Sequence, residues 1–498
     1  MNSLLDSLQD WTNTHPDATA IHHPLGRLSY GELTAEVNRV AEQFQALEIS
    51  RLGLDINNGI DWVVADLAAM KSGVCVVPIP TFFSDDQRRH LLSDANIDAM
   101  ISVVEQKYSG QWSRQTFGYN NDLQIHQRNV SGSSARKAGP DSFAKITYTS
   151  GSTGSPKGVC LSNEVISSVV AGLAASLRNV DMQRHLCLLP FATLLENIAG
   201  IYLPLITGNS LIVAPPEQLG LRSNNEFCAH NFARAVEVYA ASSAILLPQM
   251  LKAILASLPL TSSTEHQLDS LSFLAVGGGK TAPELLNKAQ SCGLPVYEGY
   301  GLSETGSVLS INTPAHSKIG SVGRPLSHAS IKIAEDGEIF VQGAIMQGYL
   351  NDSEEAALLE KGIATGDLGY FDKDGFLFVN GRKKNCLISS FGRNISPEWV
   401  EAQLLAAPEI SQIAVYGEAQ ASLSAVVVTK PAVDSASLNL AIARCNNKLP
   451  DYARVSNWVI AETPFTSANG MLTQNGKLRR DTIFERHEHA FEITRRAS

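Results

Sequence analysis

Thr149-Ser150-Gly151-Ser152-Thr153-Gly154-Ser155-Pro156-Lys157-Gly158 is the stretch on which the fold of this chain turns. Its glycines let backbone N–H groups close around an anion, its hydroxyls add donors, and Lys157 adds positive charge. The strand-like Ile146-Thr147-Tyr148 runs into it, and a helical pattern starts at about Asn163. A surface loop of the same composition would not need a strand feeding it. No Ser or Thr follows Lys157, so the spacing does not fit the G-x-x-x-x-G-K-[ST] loop of P-loop enzymes and disfavours a kinase of that kind.

Outward from this segment, short β-branched runs alternate with helical patterns, which predicts β-α units and parallel sheet. Helices are expected over Leu4 to Thr14, Tyr30 to Leu47 and Ile60 to Lys71, with Ser29 capping the second after a turn at Gly26-Arg27-Leu28-Ser29. Val74 to Ile79 reads as a buried strand, and Asn129 to Pro140 as a loop. Further strands are expected at Leu211 to Val213 and Phe273 to Val276, and an antiparallel one at Gly337 to Gly343. After Gly381 come a helix at Pro397 to Leu405, a strand at Gln412 to Tyr416 and a return strand at Ser424 to Thr429, a small α+β unit of its own.

The length of 498 residues predicts more than one domain, and 44% apolar with 18% charged residues is globular composition. A net charge of −10 makes the chain a poor generic binder of nucleic acid or anionic membrane. Met1 to Asp10 has no basic segment, so no secretory leader is expected. The apolar stretches Val165 to Leu177 and Leu186 to Ile206 are too short or too polar to span a bilayer and read as core or pocket wall. Seven cysteines without a C-x-x-C pair read as buried, reduced thiols in a cytoplasmic protein rather than a metal site.

Five further segments follow in order. Gly277-Gly278-Gly279-Lys280 closes an apolar strand; Tyr300-Gly301-Leu302-Ser303-Glu304-Thr305 and Thr365-Gly366-Asp367-Leu368-Gly369-Tyr370 precede Arg382-Lys383-Lys384; and Asn475-Gly476-Lys477 stands near the end. Each alone would be a Gly turn, a solvated acid or a solvated lysine. As a series they resemble the adenylate-forming superfamily of acyl-CoA synthetases, peptide-synthetase adenylation domains and luciferases. That resemblance implies an α/β protein. Its large N-terminal domain (1–381) has layered β-α sheets and a small β-barrel-like part. A hinge (382–384) with Lys384 as pivot leads to a small, mobile α+β C-terminal domain (385–498). It further implies that Thr149, Ser150, Gly151, Ser152, Thr153, Gly154 and Lys157 grip the phosphates of ATP. Gly278 and Gly279 then wall the adenine, Tyr300 stacks on it, and Gly301 is part of the same nucleotide-binding motif. Ser303 stands where the family has the threonine that meets the α-phosphate, Glu304 helps hold Mg²⁺, and Asp367 and Arg382 take the ribose. Lys477 is the catalytic lysine, bridging the substrate carboxylate and the α-phosphate, where an ammonium offsets the repulsion between two anions.

The resemblance also speaks to the acid. In Leu189-Pro190-Phe191-Ala192-Thr193-Leu194-Leu195-Glu196-Asn197, Ala192 stands where amino-acid-activating relatives carry an aspartate. Phe191, Thr193 and Leu194 are therefore assigned to a pocket for a medium- to long-chain fatty acid, as in long-chain fatty acyl-CoA synthetases. Thr193 and Asn197 replace the His and Arg usual there. In Ser390 to Pro397, Phe391 replaces a glycine and narrows the thiol path. The expected acceptor is CoA, with a carrier-protein phosphopantetheine as the alternative. A nucleotide-binding protein without catalysis is the competing class, disfavoured by Lys477, Glu304 and Asp367 together.

Overall fold

The computed structural model describes residues 4–103, 112–117, 123–128, 143–149, 156–221, 226–258, 267–352, 362–390, 393–473 and 476–497. Ser150 to Ser155 of the glycine-rich segment, the loop from Asn129 to Pro140, and Phe391 lie outside them.

Two large sheets dominate. One has the strand order Gly348–Tyr349, Lys157–Leu161, Lys145–Thr149, Cys75–Pro78, Arg51–Asp55, Ala99–Val103, Leu123–Arg128, Trp112–Phe117. The other runs Arg324–Pro325, Ser310–Ile311, Val296–Tyr300, Phe273–Val276, Ser243–Leu246, Arg184–Leu186, Ser210–Ile212, Thr19–His23, Gly26–Ser29. The centre of each is parallel and the margins antiparallel. Parallel strands need a crossover, and here helices supply it. Residues of both sheets and of the helices Tyr30–Ala46, Ile60–Ser72 and Asn163–Ser176 share one apolar core. Ser29 starts the first of these helices as expected: its Oγ accepts from Glu32 N at 3.2 Å, and Glu32 Oε2 accepts from Ser29 N at 2.8 Å.

Three segments differ from the sequence-based expectation. Gly26–Ser29 is an edge strand paired with Thr19–His23, not only a turn. Lys157–Leu161 is a strand antiparallel to Lys145–Thr149, with Thr149 opposite Lys157, so the glycine-rich segment joins two strands of a hairpin rather than a strand and a helix. Leu186 to Ile206 holds a π-helix at Glu196–Tyr202, continued by the helix Leu203–Ile206. All seven cysteines are free, but only Cys75, Cys160, Cys187 and Cys445 are buried; Cys292 is exposed.

The small barrel-like part is an antiparallel sheet of Ala329–Ile333, Glu338–Gly343, Ile363–Phe371 and Leu377–Arg382. Beyond it, the C-terminal unit pairs Ile410–Tyr416 with Leu423–Thr429 antiparallel, and the latter with Val455–Ile460 parallel. The helix Pro397–Leu405 is capped by Ser396, whose Oγ accepts from Trp399 N at 3.2 Å. This unit has apolar cores of its own, and buried Glu401 accepts from Arg480 at 2.7 Å. It meets the larger part where Lys252 Nζ donates to Leu405 O and Ile410 O at 2.5 and 2.7 Å. Among the described residues, no helix is long and apolar enough to cross a membrane.

Candidate active site

The strand Val296–Tyr300 delivers Tyr300 to the sheet's end, where the chain must turn at once. Gly301 permits this: a Cβ there would lie 1.9 Å from Ser307 O. Ser303–Thr305 then forms a single 3₁₀ turn, and buried Thr305 braces it by donating to Leu302 O at 3.1 Å.

Tyr300 reaches across to the barrel-like sheet. Its hydroxyl donates to Asp367 Oδ2 at 2.6 Å. Asp367 and Arg382 are opposite each other in paired strands, which brings Arg382 Nε to 2.9 Å from Asp367 Oδ1, while Arg382 Nη1 donates to Thr365 O at 2.9 Å. Burial pushes the Asp367 carboxyl above its usual range; Arg382, the Tyr300 hydroxyl and Lys477 oppose the shift. Three residues from different motifs thus converge, with an acid able to accept from paired hydroxyls.

Glu304 Oε1 accepts from the Tyr349 hydroxyl at 2.9 Å, and Lys157 Nζ stands 4.5 Å from the centroid of the Tyr349 ring. Tyr349 therefore links the loop-exit lysine to the motif acid. Glu304 offers a hard carboxylate oxygen held in place by Tyr349, a donor that suits Mg²⁺. Ser303 is half-buried in the same turn.

Gly278 takes φ +77°, in the left-handed region, and Gly279 follows it. Lys280 turns away from this face: its Nζ donates to Val379 O at 2.8 Å and staples the glycine turn to the strand that ends in Arg382. Beneath it, buried Glu298 accepts from Thr281 N at 3.0 Å, and burial pushes its carboxyl up to about 7.

Lys477 lies in a tight turn, with Lys477 N donating to Thr473 Oγ1 at 3.0 Å and Thr473 N to Lys477 O at 2.7 Å. Its side chain keeps an open face to solvent, yet the surrounding walls remove enough water to lower its pKa. Arg382 lowers it further, Asp367 and Glu304 hold it up, and Lys384 lowers it. The C-terminal lysine is thus within electrostatic reach of Asp367, Glu304 and Arg382. Lys384 itself sits exposed in the 3₁₀ turn Lys383–Asn385, whereas its neighbour Lys383 is tied to Asp336 and Glu338 at 2.6 and 2.7 Å.

The substrate-side segment is mostly wall. Phe191 is buried against Trp62, ring centroids 5.4 Å apart, and Leu194 is buried too. Thr193 is half-buried and donates its hydroxyl to Pro190 O at 2.6 Å. Below them lies a network that no motif signals. Fully buried Lys145 donates to Asp66 Oδ1 at 2.7 Å, Asn197 Oδ1 at 2.5 Å and the Tyr202 hydroxyl at 3.0 Å, and Asn197 donates to Asp66 Oδ2 at 2.9 Å. Burial lowers the Lys145 pKa, and Asp66 opposes that shift. Since Lys145 is in the strand that enters the glycine-rich segment, the network ties that strand to the π-helical wall. The cation facing Asp66 comes from Lys145, with Asn197 as a neutral partner.

The model of the AMP-binding enzyme family matches residues 8–350, and that of the AMP-binding enzyme C-terminal domain matches 384–494. A 2-succinylbenzoate–CoA ligase of Bacillus licheniformis is 29% identical over 426 residues, 81% of this chain and 84% of the relative. An indoleacetate–CoA ligase of Aromatoleum aromaticum is 28% identical over 84% of this chain and 87% of its own length. A long-chain-fatty-acid–CoA ligase, FadD15, of Mycobacterium bovis is 32% identical over 42% of this chain and 40% of its own. Among solved structures, the Bacillus subtilis o-succinylbenzoate CoA synthetase with ATP and magnesium aligns with a TM-score of 0.75 at 24% identity, covering 95% of this chain and 98% of that one. An anthranilate CoA ligase, AuaEII, with anthranoyl-AMP aligns with a TM-score of 0.77 at 18% identity, over 97% of each chain. These structures share the fold of a large N-terminal and a small C-terminal domain. With two family models covering most of its length, the chain belongs to the AMP-binding enzyme family.

Proposed function

We propose that this protein is an ATP-dependent acid–CoA ligase that activates a carboxylic acid as its acyl adenylate and then transfers the acyl group to the thiol of CoA. The observation that carries this is the convergence of Tyr300, Asp367 and Arg382, with Lys477 of the C-terminal unit within electrostatic reach of them. The names of the relatives, all acid–CoA ligases, support the same reaction class.

In this reading Asp367 accepts from the ribose hydroxyls and Arg382 fixes the carboxylate that does so. Tyr300 stacks on adenine between Gly278–Gly279 and the barrel-like sheet. The segment Thr149 to Lys157 surrounds the phosphates. Glu304, oriented by Tyr349, holds Mg²⁺, which would neutralise phosphate charge. Lys477 lies between the acid's carboxylate and the α-phosphate, lowering the repulsion as the carboxylate oxygen attacks phosphorus in line and pyrophosphate departs. Pivoting at Lys384 then exchanges Lys477 for a thiol path, and the thiol displaces AMP from the acyl carbon.

The acid proposed is a medium- to long-chain fatty acid. Ala192 offers no charge to an α-ammonium, and the wall around Phe191 and Leu194 is apolar. A second reading, an aromatic acid, is favoured by the relatives that match most of the chain, whose names specify succinylbenzoate and indoleacetate. Pyrophosphate release over a panel of fatty, aryl and amino acids, with CoA, with a phosphopantetheinylated carrier protein and with neither, separates these. The proposal expects acid-dependent release strongest with fatty acids, and acyl-CoA as product. Release with aryl acids alone would shift the substrate class, and acyl-AMP that CoA fails to consume would remove CoA as acceptor.

A further inference from the structure

Away from the nucleotide site, three side chains of unlike chemistry meet in the interior. His185 lies on the strand Arg184–Leu186, and Cys187 follows two residues later, so both project to one side of that strand. Glu196 opens the π-helix Glu196–Tyr202. One ligand-type atom from each, an imidazole nitrogen, the thiol sulfur and a carboxylate oxygen, lies within 4.8 Å of the others, and all three residues are buried.

The protein around the cluster satisfies it only weakly. His185 Nε2 and both carboxylate oxygens of Glu196 make no hydrogen bond of good geometry: Nε2 stands 3.5 Å from Oε1, and the backbone N–H groups of Leu188 and Leu189 favour the carboxylate without closing such a bond. Buried polar atoms in folded proteins nearly always find well-formed partners, and a buried carboxylate with poor ones is costly. The outer nitrogen of the imidazole is engaged: Nδ1 stands 3.0 Å from Ser243 Oγ. With Nδ1–H given to Ser243, Nε2 turns its lone pair toward Glu196, the arrangement that orients metal-binding histidines. Gly200 packs directly against the pair, and a Cβ there would fall 2.7 Å from Glu196 Oε1 and 3.0 Å from His185 Nε2, so a larger residue would crowd the cluster. The Cys187 thiol, on the same side, donates to Gly200 O at 3.6 Å.

We propose that His185, Cys187 and Glu196 form a buried zinc site. Nitrogen, sulfur and oxygen ligands together suit zinc and disfavour magnesium or calcium, which take oxygen. The charges close as well: binding releases the Cys187 proton to solvent, thiolate and carboxylate carry −2, and Zn²⁺ cancels it without leaving a net charge inside. Nothing is oxidised or reduced. The ion clamps an interior strand of the nine-stranded sheet to the π-helical turn, and so fixes the segment Leu188 to Leu195 that forms the substrate-side wall. It takes no part in adenylation, so it is separable from the function proposed above.

The test uses the full chain, purified without chelators or metal-affinity resin. Elemental analysis is expected to find about one zinc per chain. After chelation, one equivalent of cobalt(II) is expected to give the thiolate-to-cobalt charge-transfer band and the strong visible absorption of a four-coordinate site. Cys187→Ser should lose the charge-transfer band, and zinc should raise the melting temperature of the chelated wild type but not of Glu196→Gln. The wild-type cobalt titration decides the matter even if the variants do not fold. Protein that carries only magnesium, develops no thiolate–cobalt band and melts unchanged with zinc would overturn the proposal, leaving a proton shared between His185 and Glu196. A cobalt band that survives Cys187→Ser would overturn it too.

Discussion

Asp367 is given to the ribose in the proposed nucleotide site, and its neighbours fit that role. Its carboxylate is buried and already accepts from Tyr300 and Arg382, so it is held rigid for two further donors. Asp367→Ala should weaken ATP affinity about 10- to 100-fold, as expected for losing charge-assisted hydrogen bonds; calorimetric titration with ATP checks it, and unchanged affinity would move the ribose elsewhere. Glu298 answers to pH. Its folded-state pKa, about 7, is above the ordinary 4.5, so its charging costs stability as pH rises from about 4.5 to 7, about 3 kcal/mol in full. Glu298→Gln keeps the acceptor for Thr281 N–H and should melt higher than wild type at pH 8 but not at pH 5; a pH-independent difference would contradict this. Tyr300, Asp367 and Arg382 were legible in the sequence because each is the right residue type in an ordered series. Lys145, Tyr349 and Glu298 were not, since each acquires its role from partners 79, 45 and 17 residues away.

At the scale of elements, apolar patterning served where no turn residue or unusual helix geometry intervenes. The helix Pro397–Leu405 and the strand Phe273–Val276 fall where their apolar patterns put them. The strand Lys157–Leu161 was missed because Pro156 and Gly158 read as loop, while pairing with Lys145–Thr149 supplies what propensity lacks. The π-helix was missed because its wider turn has no signature in a 3.6-residue pattern. The 3₁₀ turn after Tyr300 is the element most sensitive to a single atom. Gly301→Ala sets a methyl against Ser307 O and should lower the melting temperature by several degrees, the equivalent of about 2 kcal/mol or more. It should also impair ATP binding. A variant with wild-type melting and ATP affinity would show that the turn relaxes freely.

The whole molecule depends on where the small C-terminal unit sits. Lys252 donates to the backbone at the end of the helix Pro397–Leu405 and the start of the next strand, and its pKa is pushed down to about 8, by burial first and then by Lys430. Lys252→Met leaves two carbonyls to find other partners, a loss of about 1–3 kcal/mol in that orientation. Adenylation should fall by about tenfold with ATP affinity retained; undiminished adenylation would show that the contact does not set the orientation. The charge environment of Lys477, drawn from Arg382, Asp367 and Glu304, belongs to this same arrangement. Sequence order alone could assign a lysine near the chain's end but not show that it comes within electrostatic reach of residues from 95 to 173 positions earlier. The most direct measurement is acid-dependent exchange of labelled pyrophosphate into ATP, in wild type and in Lys477→Ala, with ATP binding measured alongside. Robust exchange in the wild type, at least 100-fold slower exchange in the variant (about 2.7 kcal/mol or more of transition-state stabilisation) and near-normal ATP binding in both is the predicted result. Equal exchange in the two proteins, or none in the wild type with any carboxylic acid, would contradict it.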